Sequence, residues 1–444
     1  MSLEIRDSTQ FKVLELVIVT KAGPIDITGI YEEINIFDSL FMPVMSGNIL
    51  IRDSIGLSGK LFFDGSESIL IHIVKDENSD IGSFKKAFRI YKQSDRQNIS
   101  LNDEAYVLSF VADELIYSDQ QKINQSYEFT YSQIVEKIMT DYLKISDNNR
   151  GGFYNSTVGL RKIVIPNLSP LDAIQWCAKR AVDEQQSPNF IFFQNLTGYN
   201  FASLSNLLTK EDILEIKFEP KNTKDKNAIE EISSARSLEV VSQTNEIEKT
   251  KSGVNAGKFI GVDPMTGTIG VKNISYADTY SSMKHGNQNP NTSVIKNRDG
   301  VENVKAFDAK KTLAFFGTAR QFSEYIKKKD PTSISKEENI ENWMFQRKAI
   351  FNNLMNRRVK VVMPGNFQLT SGFNVSLVVP VFGAKEKGGE NEDKGLSGKY
   401  IIIASRQSIK YNKHETIIEV ATTSTANEFI PASTGEQTEE ILTY

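Results

Sequence analysis

The three histidines of the chain, His72, His285 and His414, are its only imidazoles, and no two stand at a metal-ligand spacing. Local pattern places them in a strand, a flexible loop and a hairpin. His72 alternates with Ile71 and Ile73, as a strand residue facing solvent or a partner would. Cys177, the single cysteine, follows Trp176 on an apolar stripe and reads as a small core residue rather than a nucleophile. One thiol precludes an intramolecular disulfide framework or a multi-thiolate zinc site within the chain. No G-x-S-x-G elbow, Walker loop, H-E-x-x-H or Rossmann glycine set is present. The glycines of Gly261 to Gly270 are wrongly spaced for phosphate, and Asp263 to Gly267 is an ordinary turn. Carboxylates are plentiful, but Glu32-Glu33, Glu230-Glu231 and Glu337-Glu338 fall at helix starts or strand edges, and nothing singles out a glycosidase pair. The basic clusters Lys327 to Lys329 and Arg357-Arg358 read as solvated helix ends that suit the macrodipole. The residues thus nominate no catalytic set, no cofactor and no metal site, and the expectation is a structural role.

Such a role needs elements to carry it. The 444 residues argue for about three domains at roughly 100–200 residues each. Hydrophobic residues at 39% and charged residues at 24% are near the globular average, which excludes wholesale disorder and fibrous repeats. A net charge of -4 removes the broad attraction that a DNA-coating protein needs. Met1 to Thr20 lacks the basic region and apolar core of a secretory signal. The longest apolar runs, such as Leu14 to Val19 and Val375 to Val379, fall far short of the ~18 residues of a membrane helix, so no stable membrane insertion is expected.

Residues 1–118 read as short strands: Phe11 to Thr20, a run around Ile25 to Ile36, Asn48 to Asp53, Ser68 to Val74, Phe84 to Tyr91 and Ala105 to Glu114, punctuated by Gly23-Pro24, Ser46-Gly47 and Gly65-Ser66. This spacing is that of an antiparallel barrel or sandwich. Two helices follow. Thr130 to Gln133 is a capping box before Ile134, Val135, Ile138, Met139 and Tyr142. Ser169-Pro170-Leu171-Asp172 supplies a cap and a first-turn proline before Ile174, Cys177 and Ala178. Phe190 to Phe193 and Tyr199 to Phe201 flank the turn Thr197-Gly198 as a hairpin. Strand character returns from Glu211, with Ile213 to Phe218, Leu238 to Val241 and Thr268 to Val271, before a long loop at 281–300. Ser335 to Glu338 is a second capping box, predicting a helix through Arg358 with the stripe Trp343, Ile350, Phe351, Leu354 and Met355. Strands then resume at Val359 to Met363, Phe373 to Val379, Tyr400 to Ala404 and Thr416 to Ala421. Lys385 to Lys394 reads as a charged hairpin loop, and Thr422 to Tyr444 as a polar tail, flexible over 426–444, that orders against a partner.

The most informative segment is Gly365-Asn366-Phe367-Gln368-Leu369-Thr370-Ser371-Gly372. It resembles the G-N-F-x-L-x-x-G strand and turn of baseplate hub proteins in contractile-tailed phages of the T-even type. The preceding helix and strand, and the following strand Phe373 to Val379, keep that family's order. Gly398 to Ile403 and Lys413 to Thr416 resemble the closing hairpin of the hub's second barrel, while Asp38-Ser39-Leu40, Ser46 to Ser54 and Gly65 to Glu67 resemble its first. Ser169 to Leu171, Phe190 to Phe192 and Gly198-Tyr199 are similar to the helix and hairpin between the barrels, shared with spike proteins of type VI secretion. Lys221 to Pro331 departs from the pattern, and no spike β-helix or lysozyme-like domain follows Ala421. Gly372 fits a tight turn with positive φ, and Gly365 after Pro364 fits a bend at a barrel corner.

The resemblance implies an α+β, mainly β fold: two antiparallel, tube-like β-barrel domains with inserted α/β domains. The barrels would occupy 1–118 and 211–275 plus 357–425, and the insertions 119–210 and 276–356. Gly365, Asn366, Phe367, Leu369 and Gly372 are the structural motif residues. It further implies a baseplate hub subunit in the virion tail, synthesised and assembled in the host cytoplasm. A homotrimer would form a pseudo-sixfold ring between the tail tube or tube-initiator proteins and a separate central spike trimer. Tape-measure protein and baseplate wedge would be further contacts, and DNA would pass without specific binding. The hub of a phage-derived injection particle, and a wall-degrading tail enzyme, are the alternatives.

Overall fold

A computed structural model describes residues 11–60, 63–75, 83–184, 187–218, 233–243, 256–263, 268–275, 310–316, 340–381 and 392–426, with short pieces at 245, 247, 284–287, 289–290, 294–295 and 304–305. Its framework is a 13-stranded sheet. Alternation in the sequence builds it: in Ser68–Val74 the isoleucines at 69, 71 and 73 are fully buried while Leu70 and His72 are half-buried on the opposite face.

From one edge the strands run Ser237–Ser242, Arg358–Pro364, Lys413–Ala421, Gly398–Lys410, Tyr31–Ser39, Ser46–Asp53, Glu104–Val111, Ser83–Asn98, Ser68–Val74, Lys12–Thr20 and Gly23–Asp26. Asn374–Val378 also pairs with Gly398–Lys410 and carries Asp212–Lys217 in parallel on its far side. The two expected barrels are therefore halves of one continuous sheet. They are joined where Gly398–Lys410 pairs with Tyr31–Ser39, from Ala404 opposite Ser39 to Lys410 opposite Glu33. A long C-terminal strand has edges enough for Lys413–Ala421 on one side and the N-terminal half on the other, so the halves share backbone hydrogen bonds instead of a linker.

The helices begin where their caps require. Thr130 and Gln133 form the capping box of Tyr131–Asp141, and Ser169 caps Pro170–Arg180 with Pro170 in the first turn. These helices share a core with the first half of the sheet: Ile134, Ile138, Ile174 and Cys177 belong to the same buried cluster as Ile36, Ile49, Ile71 and Phe110. A second cluster joins Leu40 to Phe193, Leu204, Ile350 and Leu354, and a third fills the second half around Val361, Leu369, Val375 and Ile418.

Several boundaries differ from the expected ones. Ala256–Asp263 and Thr268–Ser275 leave the second half and pair with each other and with Lys310–Phe316 in a separate three-stranded sheet. The late helix is Ile340–Leu354 and stops before Arg358, which opens a strand. Arg357 is accordingly 2% exposed rather than solvated at a helix end. Phe345, absent from the expected stripe, is buried against Gly257, where a Cβ would come within 2.0 Å of its ring. Thr422 to Thr425 are buried, and Ser424–Thr425 pairs with Asn289–Pro290, so the tail begins later than its composition implies. The capping box at Ser335, the clusters at Glu230, Lys327 and Glu337, most of the Lys385 to Lys394 loop and the tail from 427 lie outside the described residues.

Candidate functional site

The segment 365–372 ties three parts of the chain together. Gly365 lies over His414, which is fully buried; a Cβ at 365 would stand 2.1 Å from the imidazole Cγ. Close approach to a ring 49 positions away explains the glycine, and its φ is not among the positive ones. Asn366 donates its backbone N–H to the Thr416 hydroxyl at 2.8 Å and accepts from Gln407 Nε2 at 3.3 Å. Phe367 packs against His414, ring centroids 4.7 Å apart, and against Phe84 at 5.9 Å. Leu369 is fully buried in the second-half core. Gly372 has φ +91°, and its amide donates to the Ile402 carbonyl at 3.0 Å. Here positive φ is needed as expected, and the ring of Phe193, which would stand 2.8 Å from a Cβ added at 372, makes a second demand for glycine.

Asp38 is the buried anchor of this arrangement. Its carboxyl accepts from Ser405 Oγ at 2.6 Å, Thr370 Oγ1 at 3.0 Å and the Ser371 amide at 2.7 Å. Burial pushes its pKa above the ordinary carboxylate value, against the pull of those three donors. One side chain from the first half thereby holds both the motif loop and the seam strand. The inserted hairpin joins through Asn195 Nδ2, which donates to the Ser371 carbonyl at 2.8 Å, and through the Leu196 amide on Thr370 Oγ1 at 3.1 Å. On the other side of the same hairpin, Arg347 Nη1 donates to the carbonyls of Pro188 and Phe190 at 3.0 and 2.7 Å, which docks the Ile340–Leu354 helix.

The remaining sequence candidates are scattered. His72 lies 3.7 Å from Glu15 and across from Lys85 on the outer face of the first half. His285 lies 3.4 Å from Thr423. His414 Nε2 donates to Gln407 Oε1 at 2.9 Å, and burial holds its pKa well below 6.5. Cys177 is buried with its thiol pushed up to about 12, which leaves no thiolate for nucleophilic chemistry near neutrality. Among the described residues no three His, Cys, Asp or Glu side chains gather as a metal site. The structure brings none of these groups together; what it brings together is the motif.

Opposite the core, the sheet presents a polar, partly exposed face on both sides of the seam. Its charges are paired in rows: Arg406 with Glu33 at 3.1 Å, Lys410 with Glu33 at 3.6 Å, Arg358 with Glu419 at 2.9 Å, Lys360 with Glu239 at 3.4 Å and Arg236 with Glu415 at 3.0 Å. Burial alone would raise the Glu33 carboxyl, but the Ser408 hydroxyl and the Lys410 and Arg406 charges outweigh it, and its pKa lies below the ordinary value. Between the charged rows lie neutral groups, among them Asn35 hydrogen-bonded to Asn48 at 2.9 Å. A groove of about 270 Å³ opens on this face beside the seam, walled by Phe37, Met42, Val44 and Ile417. Exposed pairs of this kind add little stability; their effect is a face without a large field of either sign.

No protein-family model and no curated protein matches the chain. Solved structures do. The tail protein from Neisseria meningitidis MC58 superposes with a TM-score of 0.51 at 10% identity, over 93% of this chain and 98% of its own. The 43 kDa tail protein of prophage MuSo2 from Shewanella oneidensis gives 0.50 at 10% identity, over 92% and 98%. A type VI secretion component of E. coli, described as structurally similar to T4 tail proteins gp27 and gp5, covers 95% of this chain and 79% of its own at 9% identity and a TM-score of 0.43. The fold assignment rests on the first two. The chain has the fold of these tail proteins, along nearly its whole length and theirs.

Proposed function

We propose that the chain is a structural baseplate hub subunit of a contractile phage tail. Three copies form a pseudo-sixfold ring that joins the tail tube to the central spike and lets DNA pass. The observation that carries this reading is the continuous sheet, whose two halves are joined edge to edge, in a fold shared with tail proteins. Three such chains would present six similar sheet units around an axis. A charge-paired face suits a conduit, because an unpaired basic wall would hold phosphate by counterion release. Motif residues Gly365, Asn366, Phe367, Leu369 and Gly372 keep the two halves in fixed register, which a ring of defined diameter requires.

Co-expression with the neighbouring spike protein, followed by light scattering and electron microscopy, tests the assembly. The expected product contains hub and spike subunits one to one, with threefold symmetry and an open channel. Any other ratio, or a ring without a threefold axis, overturns the reading. The hub acts without catalysis, so the purified protein should leave a peptidoglycan suspension turbid. Clearing that vanishes on replacing one Asp or Glu would make it an enzyme instead.

A further inference from the structure

The groove beside the seam has a local cause. Register sets two cross-strand rows next to each other on the outer face: Phe37, Arg406 and Ile417 in one, and Ser39, Ala404, Glu419 and Lys360 in the other. Ser39 and Ala404 are too small to fill their row beside a phenylalanine and an isoleucine, so a hollow remains over them. Met42, 55% exposed, lines it from the turn after Ser39. The result is about 270 Å³ of largely apolar space whose walls come from both halves of the chain. Two cations at its rim keep unused donors. Arg406 places Nε on Asn35 at 2.8 Å and Nη2 on Glu33 at 3.1 Å, and its Nη1 has no hydrogen-bond partner among the described residues. Lys360 holds Glu239 at 3.4 Å, with both side chains largely exposed.

We infer that Glu439-Glu440-Ile441-Leu442 of the same chain occupies this groove and clasps one half of the sheet to the other. The two aliphatic side chains lie between the walls, and the two carboxylates meet Arg406 and Lys360. Chemistry, size and reach select this occupant. Within residues 427–444 it is the place where two acids directly precede two aliphatics, the order that complements an apolar trough with a basic rim. The groove takes only one or two such side chains, far short of the roughly 800 Å² per partner of a stable interface between free molecules. A segment tethered to the same chain meets the groove at an effective concentration on the order of millimolar, where so small a contact suffices. Ala426, where the described residues stop, lies beside the start of the seam strand: a Cβ added at Gly398 would stand 3.1 Å from the Cβ of Ala426. From Gly398 to Ala404 that strand rises about 20 Å, and residues 427–438 can span about 40 Å. Phe429 and Ile430, the other apolar pair of the segment, follow Ala426 too closely to arrive. The clasp is a property of the single chain, whatever assembly that chain joins.

Disulfide trapping in the full-length chain tests the clasp, since the one native thiol, Cys177, is buried and unreactive near neutrality. Leu442→Cys is combined with Met42→Cys at the groove or, as the control, with Ile213→Cys. Ile213 is 37% exposed and follows Asp212, which pairs with Lys399 at 3.2 Å, so it lies nearer to Ala426 than the groove does. Both anchors are exposed, and both variants should fold as the native chain does. With oxidised glutathione as the oxidant, the 42–442 disulfide should close at least about tenfold faster than the 213–442 one, at a rate independent of protein concentration. Glu439→Lys with Glu440→Lys should slow that closure at least about fivefold, and adding Lys360→Glu should restore part of it. Closure at the control anchor as fast as at Met42→Cys would mean that the segment does not settle in the groove. Disulfide-linked dimers whose share grows with concentration would give the groove to a second copy, and faster trapping of Leu3→Cys than of Leu442→Cys would give it to residues 1–10. Indifference to the charge reversals would remove Arg406 and Lys360 from the contact. Each of these four results overturns the inference.

Discussion

Gly365→Ala should cost the protein about 3 kcal/mol, the upper range for an added methyl in a packed core. The new Cβ would overlap Cγ, Nδ1 and Cδ2 of His414 at 2.1 to 2.6 Å. That ring cannot yield cheaply, since it is fully buried, bonded to Gln407 and packed on Phe367. A double-mutant cycle with His414→Ala isolates the clash. His414→Ala alone is destabilising through its cavity, but once the ring is gone the methyl has room, so the two changes together should cost clearly less than their sum. Strict additivity in denaturant titrations would mean that Gly365 matters for some reason other than the imidazole. The same ring sets an acid limit. Neutral in the fold and with its pKa far below 6.5, His414 binds a proton in the unfolded chain first. Its contribution is therefore complete above pH 6.5 and is lost as pH falls below it, by up to about 1.4 kcal/mol per pH unit until the folded pKa is reached. His414→Gln should flatten that slope.

Asp38→Ala should be comparably damaging, at about 3 kcal/mol, because it leaves the Ser371 amide and the Thr370 and Ser405 hydroxyls without their buried acceptor. Asp38→Asn distinguishes the roles of shape and charge. The raised pKa means that burial works against the ionised form, and the sign follows: stability is fullest below about pH 3.8 and falls as pH rises through the folded pKa. Asparagine keeps one acceptor and carries no charge, so it should lose distinctly less than alanine near neutrality. Equal losses for the two variants, measured from chemical denaturation midpoints, would show that the anion itself is needed.

Both sites show where sequence reasoning reaches and where it stops. Local signals were sufficient for the helix starts at Thr130 and Ser169, whose caps bond residues three positions away, and for Ser68–Val74, whose alternation is complete within seven residues. The positive φ of Gly372 was legible for the same reason. The polar run from Lys92 to Asn98 carries no apolar alternation and was invisible as strand; it is strand because Glu104–Val111 lies beside it. His414 reads only as a hairpin residue between Lys413 and Glu415, and packing across the sheet buries it. Asp38 marks a family resemblance in the sequence, but its three donors come from more than 300 positions away. The seam itself, residues 33–39 against 404–410, has no local signature at all.

That seam also dictates how the chain must be made. Ser39 finds its partner carbonyl at Ile403, 364 residues later. On a ribosome moving at about 5–20 residues per second, the edge of Tyr31–Ser39 waits roughly 20–70 s for the strand that covers it. Throughout that interval a row of unpaired amides and carbonyls stands open beside isoleucines that already have a core to join. Nascent chains on one polysome carry the same bare edge at the same moment, and pairing between them is the error that this topology invites. Slow passage through the last hundred codons should therefore lower the yield of soluble protein more than an equal delay near the start.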